Sequence, residues 1–94
     1  MTTNDERAII TILGRDKVGI LAEVTAVLAK ANINILDISQ TILQEFFTMI
    51  MIIDLSPGKI NFYELQQVLK EKGKDLSLEI TVQRAEVFKF MHRI

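Results

Sequence analysis

Two spacings of apolar residues alternate along the chain, and each change of spacing marks a boundary between predicted elements. An isoleucine-rich run over Arg7–Leu13 has the length of a strand, and Gly14 interrupts it. From Val18 or Gly19 to Ala31, apolar residues recur at spacings of three and four, which predicts an amphipathic helix. Asp16 precedes this segment and is predicted to cap the helix.

The second and third strands are predicted from two further apolar segments. Ile33 and Ile35 share one strand face, whereas Leu36, Ile38 and Ile42 share the other, so we expect a bulge or twist where the phase changes. The segment Phe46–Leu55 is apolar at nearly every position, which predicts a central strand covered on both faces. Its two alternating sets are Phe46, Thr48, Ile50 and Ile52, and Phe47, Met49, Met51 and Ile53.

The last third of the chain predicts a loop, a helix and an edge strand. Ser56–Lys59 has turn residues, and Asn61 with Glu64 resembles a capping box that begins the second helix. We expect this helix to end near Gly73. Alternation of apolar and polar residues over 76–83 then predicts a strand with one solvated face, and residues 84–94 predict a short closing helix.

The element order βαββαβ predicts an α+β, ferredoxin-like fold. Right-handed crossovers place both main helices on one face of a four-stranded antiparallel sheet with spatial order 4-1-3-2. We assign residues 1–6 to a flexible N-terminus, 7–83 to the domain and 84–94 to the C-terminal helix. The second face of the third strand needs cover from that helix or from another subunit, and the apolar second strand is an edge, so we predict at least a dimer.

Composition narrows the possible partners and location. The 94 residues are 49% hydrophobic, with 11 Lys and Arg against 12 Asp and Glu, which is typical of one globular domain and does not favour nucleic acid binding. There is no cysteine, which excludes disulfides and cysteine-based metal sites. The acidic, polar start and the lack of a long apolar run favour a soluble cytoplasmic protein without a membrane partner.

The sequence contains few residues that could form a catalytic site. The single histidine, His92, lies near the chain end, so a histidine-based catalytic pair or metal cluster is not expected within one subunit. Ser39, Thr41 and Thr48 have no evident base to activate them. We therefore predict a protein that is not an enzyme and uses no metal or cofactor.

The run from Gly14 to Ile20 is a candidate ligand-binding segment, because it leads from a strand directly into a helix N-terminus. Free amides at such a position bind carboxylates or phosphates. The same glycines also suit a strand end and close helix packing, and Asn34 also suits an ordinary loop. The pattern alone leaves both interpretations open.

The segment Gly14–Gln40, with its G-x-D-x-x-G-I start and the later N-I-N-I, resembles the opening of an ACT domain. This small module binds amino acids and regulates metabolic enzymes, and the resemblance covers residues 6–83. The stretch from Asp37 to Met49 is most similar to short stand-alone ACT proteins of uncharacterised function. The opening also resembles ACT domains of formyltetrahydrofolate deformylase and of the glycine cleavage system regulator, which links the group to glycine and one-carbon metabolism.

The resemblance implies a ligand site between subunits, where the loop after strand 1 of one copy meets strand 2 of a neighbour. The positions that match are Asp16, Val18, Gly19, Ile20 and Asn34. It implies a homo-oligomeric regulatory module, a homodimer or larger, that binds a small molecule, and we expect this ligand to be an amino acid. Two alternatives stay open: a protein-interaction module without a small ligand, and an acylphosphatase-like enzyme that uses Arg15 and Asn34.

Overall fold

The computed structural model describes residues 6–15, 18–56, 58 and 60–85, and these form a four-stranded antiparallel sheet with two helices. The elements are β1 (Arg7–Arg15), α1 (Ile20–Lys30), β2 (Asn34–Leu43), β3 (Phe46–Asp54), α2 (Phe62–Leu76) and β4 (Glu79–Arg84). The sheet order is β2-β3-β1-β4, which is the predicted order read from the other edge. The α+β, ferredoxin-like class is therefore confirmed. The predicted closing helix over 84–94 is not: Arg84 is the last residue of β4, and residues 86–94 lie outside the described part of the chain.

The core lies between the sheet and the helices. Of the two alternating sets of β3, the one that faces the helices and is buried is Phe47, Met49, Met51 and Ile53. These side chains pack with Val24 and Leu28 of α1 and with Leu65 and Leu69 of α2. Burial of large aliphatic side chains of this kind contributes about 1.5–3 kcal/mol each.

The opposite sheet face is only partly covered. Phe46 and Leu13 are each about half exposed on this face, and Ile50 is 37% exposed. Ile9 shares the face because it pairs with Ile52, yet it is 5% exposed. The sheet therefore has a partly exposed apolar face on the side opposite the core.

The bulge expected in β2 is confirmed. The assignment of Ile38 and Ile42 to the face opposite Ile35 is wrong, because the bulge brings all three to the face of the buried β3 residues. Ile35 lies opposite Ile53, and Asp37 lies opposite the next residue of β3, Ile52, so Leu36 is left without a partner in the ladder. The bulge puts Ile35 and Ile38 on the helix side of the sheet, three positions apart. Beyond it, regular pairing continues to the end of the strand.

Both described helices end in the same way, and one end was predicted wrongly. In α1 the left-handed residue is Asn32, and the Ile33 amide donates to the Leu28 carbonyl at 3.0 Å. The second helix does not end near Gly73 but at Leu76, where Ser77 takes the left-handed conformation at φ 58°. The Leu78 amide then donates to the Gly73 carbonyl at 2.7 Å, which completes a Schellman-type end.

Two further boundaries can be compared with the sequence prediction: β1 extends beyond its predicted end, and α2 begins as predicted. β1 continues through Gly14 to Arg15, because the ladder with β3 extends to the pair Arg15 and Phe46. The capping box that begins α2 is confirmed: Asn61 Oδ1 accepts from the Glu64 amide at 2.8 Å, and Glu64 Oε1 accepts from the Asn61 amide at 2.9 Å. Within the described ranges, neither helix is long and apolar enough to cross a membrane.

Candidate functional site

The turn between β1 and α1 is built around Gly19. This residue occupies the N-cap position of α1 with φ 90° and ψ 1°, a left-handed conformation that L side chains rarely adopt. A Cβ placed on Gly19 would meet no heavy atom within 4 Å, so the space beside it is open. Glycine is therefore required here by backbone conformation and not by close packing.

The first turn of α1 has no side chain that caps it from the N-cap position. The helical hydrogen bonds begin with the Glu23 amide, which donates to the Gly19 carbonyl at 2.9 Å. In the described part of the chain, no acceptor is found for the amides of Ile20 and Leu21. Unpaired amides and the positive end of the helix dipole together favour an anionic group at this position.

The predicted site residues around this turn have different environments. Ile20 is 2% exposed and anchors the helix in the core, so only its backbone is available to a ligand. Val18 and Gly19 are exposed. Asp16 lies outside the described residues, and the N-cap position predicted for it is occupied by Gly19.

Asn34 lies at the opposite end of the sheet from this turn. It begins β2, where it pairs with Asp54, and Asp54 pairs with Arg7 at the start of β1. β1 has nine residues, so its two ends are separated by roughly 26 Å at ~3.3 Å per residue. One chain therefore brings Val18, Gly19 and Ile20 together but leaves Asn34 far from them.

The separation between the two ends of β1 also argues against the acylphosphatase-like alternative within one chain. Arg15 lies at the end of β1 beside the candidate turn, and its guanidinium Nη2 is 3.6 Å from Glu45 Oε2. Asn34 is exposed at the far end of the sheet. The arginine and asparagine that this alternative needs side by side are thus not assembled within one chain.

No group of three or more His, Cys, Asp or Glu side chains suited to a metal ion occurs among the described residues. The acidic residue in the first turn of α1, Glu23, accepts a hydrogen bond from Lys72 Nζ of α2 at 3.2 Å. This contact ties the two helices together. Among the described residues, the amides at the start of α1 are therefore the groups of this turn suited to an anion.

Sequence reasoning missed a groove between α2 and β4. The groove has a volume of about 760 Å³ and is lined on the helix side by Tyr63, Gln66, Gln67, Lys70 and Lys74. Its other wall is β4, an edge strand. The signal in the sequence was the placement of Lys70 and Lys74 one helical turn apart, immediately before a strand predicted to be an edge.

Comparison with known proteins gives one family throughout. Residues 6–83 match the family model described as ACT domain. A UPF0237 protein of Clostridium acetobutylicum is 52% identical over 88 residues, which are 94% of this chain and 99% of that protein. A UPF0237 protein of Methanocaldococcus jannaschii is 44% identical over 94% of this chain and 98% of its own length.

Two solved structures share the fold. An ACT domain protein from Streptococcus pneumoniae superposes with a TM-score of 0.78 and 41% identity, over 90% of this chain and 96% of that one. A chain assigned as a glycine cleavage system transcriptional repressor superposes with a TM-score of 0.74 and 28% identity, over 83% of this chain and 44% of its own. The names of these relatives carry no enzyme activity.

Proposed function

Because the chain belongs to the ACT domain family, whose members are generally regulatory and ligand-binding, we propose that it is a non-enzymatic regulatory module that binds an amino acid between subunits of a homo-oligomer. The observation that carries the proposal is the start of α1. There Gly19 is left-handed and exposed, and the amides that follow it lack acceptors in the described part of the chain. This arrangement suits the α-carboxylate of an amino acid.

The α-ammonium group needs a different partner. Asp16 and Asn34 occupy the positions that the family resemblance assigns to the site, and a carboxylate or an amide oxygen accepts hydrogen bonds from an ammonium group. Since Asn34 lies about the length of β1 away from Gly19 in its own chain, the asparagine in the proposed site comes from a neighbouring copy.

Pairing of two β2 edges would supply that copy. β2 is an edge strand, and its side chains Leu36, Ile38 and Ile42 are 48%, 40% and 50% exposed. If two copies pair antiparallel along this edge, the start of one β2 comes level with the end of the other. The end of β2 lies at the same end of the sheet as the turn at Gly19, because Leu43 pairs with Phe46 and Phe46 pairs with Arg15. Asn34 of one copy thereby approaches the turn of the other.

Such a site couples ligand binding to assembly. A ligand held by groups from two copies stabilises the assembled state by its differential affinity, and couplings of this kind are typically ~1–3 kcal/mol. Apparent affinity should then fall when the protein is diluted below its dissociation constant for assembly. The likeness to the chain assigned as a glycine cleavage system transcriptional repressor supports glycine and one-carbon metabolites as the first ligands to test.

The test is thermal unfolding of the purified protein against the common amino acids and one-carbon metabolites. A ligand that prefers the folded assembly raises the midpoint. The Asn34→Ala variant should lose this shift, and the Gln67→Ala variant, which removes an exposed amide on α2, should keep it. A panel without any shift would refute the proposal and favour the alternative of a protein-interaction module without a small ligand.

A further inference from the structure

Among the described residues, the outer edge of β4 is open along the groove beside α2. β4 pairs with β1 on one side only, so every second residue directs its backbone N–H and C=O away from the sheet. One contact identifies which residues these are. Gln66 Nε2 of α2 donates to the Val82 carbonyl at 2.9 Å, so the backbone groups of Val82 point outward, as do those of Ile80 and Arg84 by alternation.

The helix wall and the strand edge run side by side in opposite directions. The Arg84 guanidinium lies 4.4 Å from the centroid of the Phe62 ring at the start of α2. Gln66, one turn further along, reaches Val82, and a Cβ on Gly73 would lie 3.2 Å from Ile80 Cγ1. A chain that adds to β4 would therefore lie along α2 over about three helical turns.

Positive charge lines this path. Lys70 and Lys74 both line the groove from α2, and neither forms an ion pair with any carboxylate of the described residues. Glu79 is the acidic residue in the lining, but it pairs with Leu13, so its side chain leaves the sheet on the face opposite α2. The helix side of the groove therefore carries an uncompensated positive charge.

The spacing of the two lysines matches a strand. Residues four apart in a helix are separated by ~6 Å along the axis. Side chains on one face of a strand recur every ~6.6 Å. Acidic residues at alternate positions of an extended chain on β4 would thus face Lys70 and Lys74 in turn.

We propose that the groove between α2 and β4 binds an extended acidic segment of a partner protein, which adds to β4 as a fifth strand with carboxylates at alternate positions facing Lys70 and Lys74. Backbone hydrogen bonds to Ile80, Val82 and Arg84 supply the pairing, and the lysines select the charge. Gln66 competes with the incoming strand, because its side chain already occupies the Val82 carbonyl.

The first experiment uses a fluorescein-labelled peptide in which glutamate and valine alternate, with a lysine–valine peptide as the charge control. Fluorescence anisotropy should show binding of the glutamate peptide alone. Lys70→Glu should weaken it about five-fold, because one exposed attraction is lost and a repulsion replaces it. The matched reversal Lys30→Glu, at the exposed end of α1, should leave it unchanged.

Two further measurements separate strand addition from attraction to surface charge. Gln66→Ala removes the competing amide and should tighten binding several-fold, whereas attraction to the lysines alone predicts no change. In NMR spectra the amide signals of Ile80, Val82 and Arg84 should shift with the glutamate peptide. Equal binding of both peptides, an unaffected Lys70→Glu variant, or shifts elsewhere would overturn the proposal. Shifts of the same amides with protein concentration alone would overturn it too, because they would assign this edge to a second copy of the chain.

Discussion

Replacement of Gly19 by alanine tests the conformation on which the candidate site depends. An L residue in the left-handed region costs about 1–2 kcal/mol, and alanine is a poorer N-cap than glycine by several tenths of a kcal/mol. Against this, alanine restricts the unfolded chain and contributes about 0.4–1 kcal/mol of stability. Since a Cβ at this position meets nothing within 4 Å, no steric term is added.

The balance is a loss of about 1 kcal/mol for Gly19→Ala, which corresponds to a fall in Tm of roughly 4–8 °C for a domain of this size. Urea unfolding gives the free energy and calorimetry gives Tm. Both are compared at one protein concentration, because assembly makes the midpoint concentration-dependent.

A matched control isolates the backbone as the cause. D-alanine in place of Gly19, introduced by chemical synthesis, adds the same methyl group but favours positive φ, so it should be at least as stable as the parent protein. If Gly19→Ala proved as stable as the parent, or if the D-alanine protein were destabilised equally, the left-handed conformation at this turn would not be what requires glycine.

Three other substitutions test the ends of α2. Asn61→Ala removes the capping box and should cost about 1 kcal/mol in urea unfolding; an unchanged free energy would contradict the cap. Ser77→Gly relieves a left-handed serine at φ 58° and should raise stability by up to about 1 kcal/mol, seen as a higher Tm. Gly73→Ala should destabilise the protein despite alanine's better helix propensity, because its Cβ would lie 2.8 Å from the Leu78 carbonyl oxygen; a gain in Tm would show that this contact yields.

The fold was predictable because the pattern of apolar and polar residues along the chain follows which side chains are buried. The continuous apolar run of β3 identified a central strand, and the change of phase after Ile35 identified the bulge. The end of α2 was not predictable in this way. A glycine after a helical pattern usually ends the helix, but Gly73 lies inside α2, where it lets the helix approach Leu78 and Ile80 closely. That approach depends on tertiary packing, which local propensity does not contain.

The candidate site was predictable in part. Gly19 at the start of a helix was visible as a strand, a glycine turn and an amphipathic run in succession. Which residues meet at the site was not visible in periodicity, because strand direction places Asn34 at the other end of the sheet and any meeting requires a second chain. The groove along β4 escaped notice for a similar reason: the contact from Gln66 to Val82 joins residues 16 positions apart.

Because of the bulge, β2 should tolerate a deletion at Leu36 better than a deletion elsewhere in the strand. Ile35 and Asp37 pair with consecutive residues of β3, so Leu36 is an extra residue that has no partner on β3. Deletion of Leu36 would leave a regular strand in which every later pair, from Asp37 with Ile52 onward, is retained. Deletion of Ser39 would instead transfer the preceding or the following side chains to the wrong face of the sheet. Relatives that differ from this chain in the length of β2 are therefore expected to gain or lose their residue at the bulge.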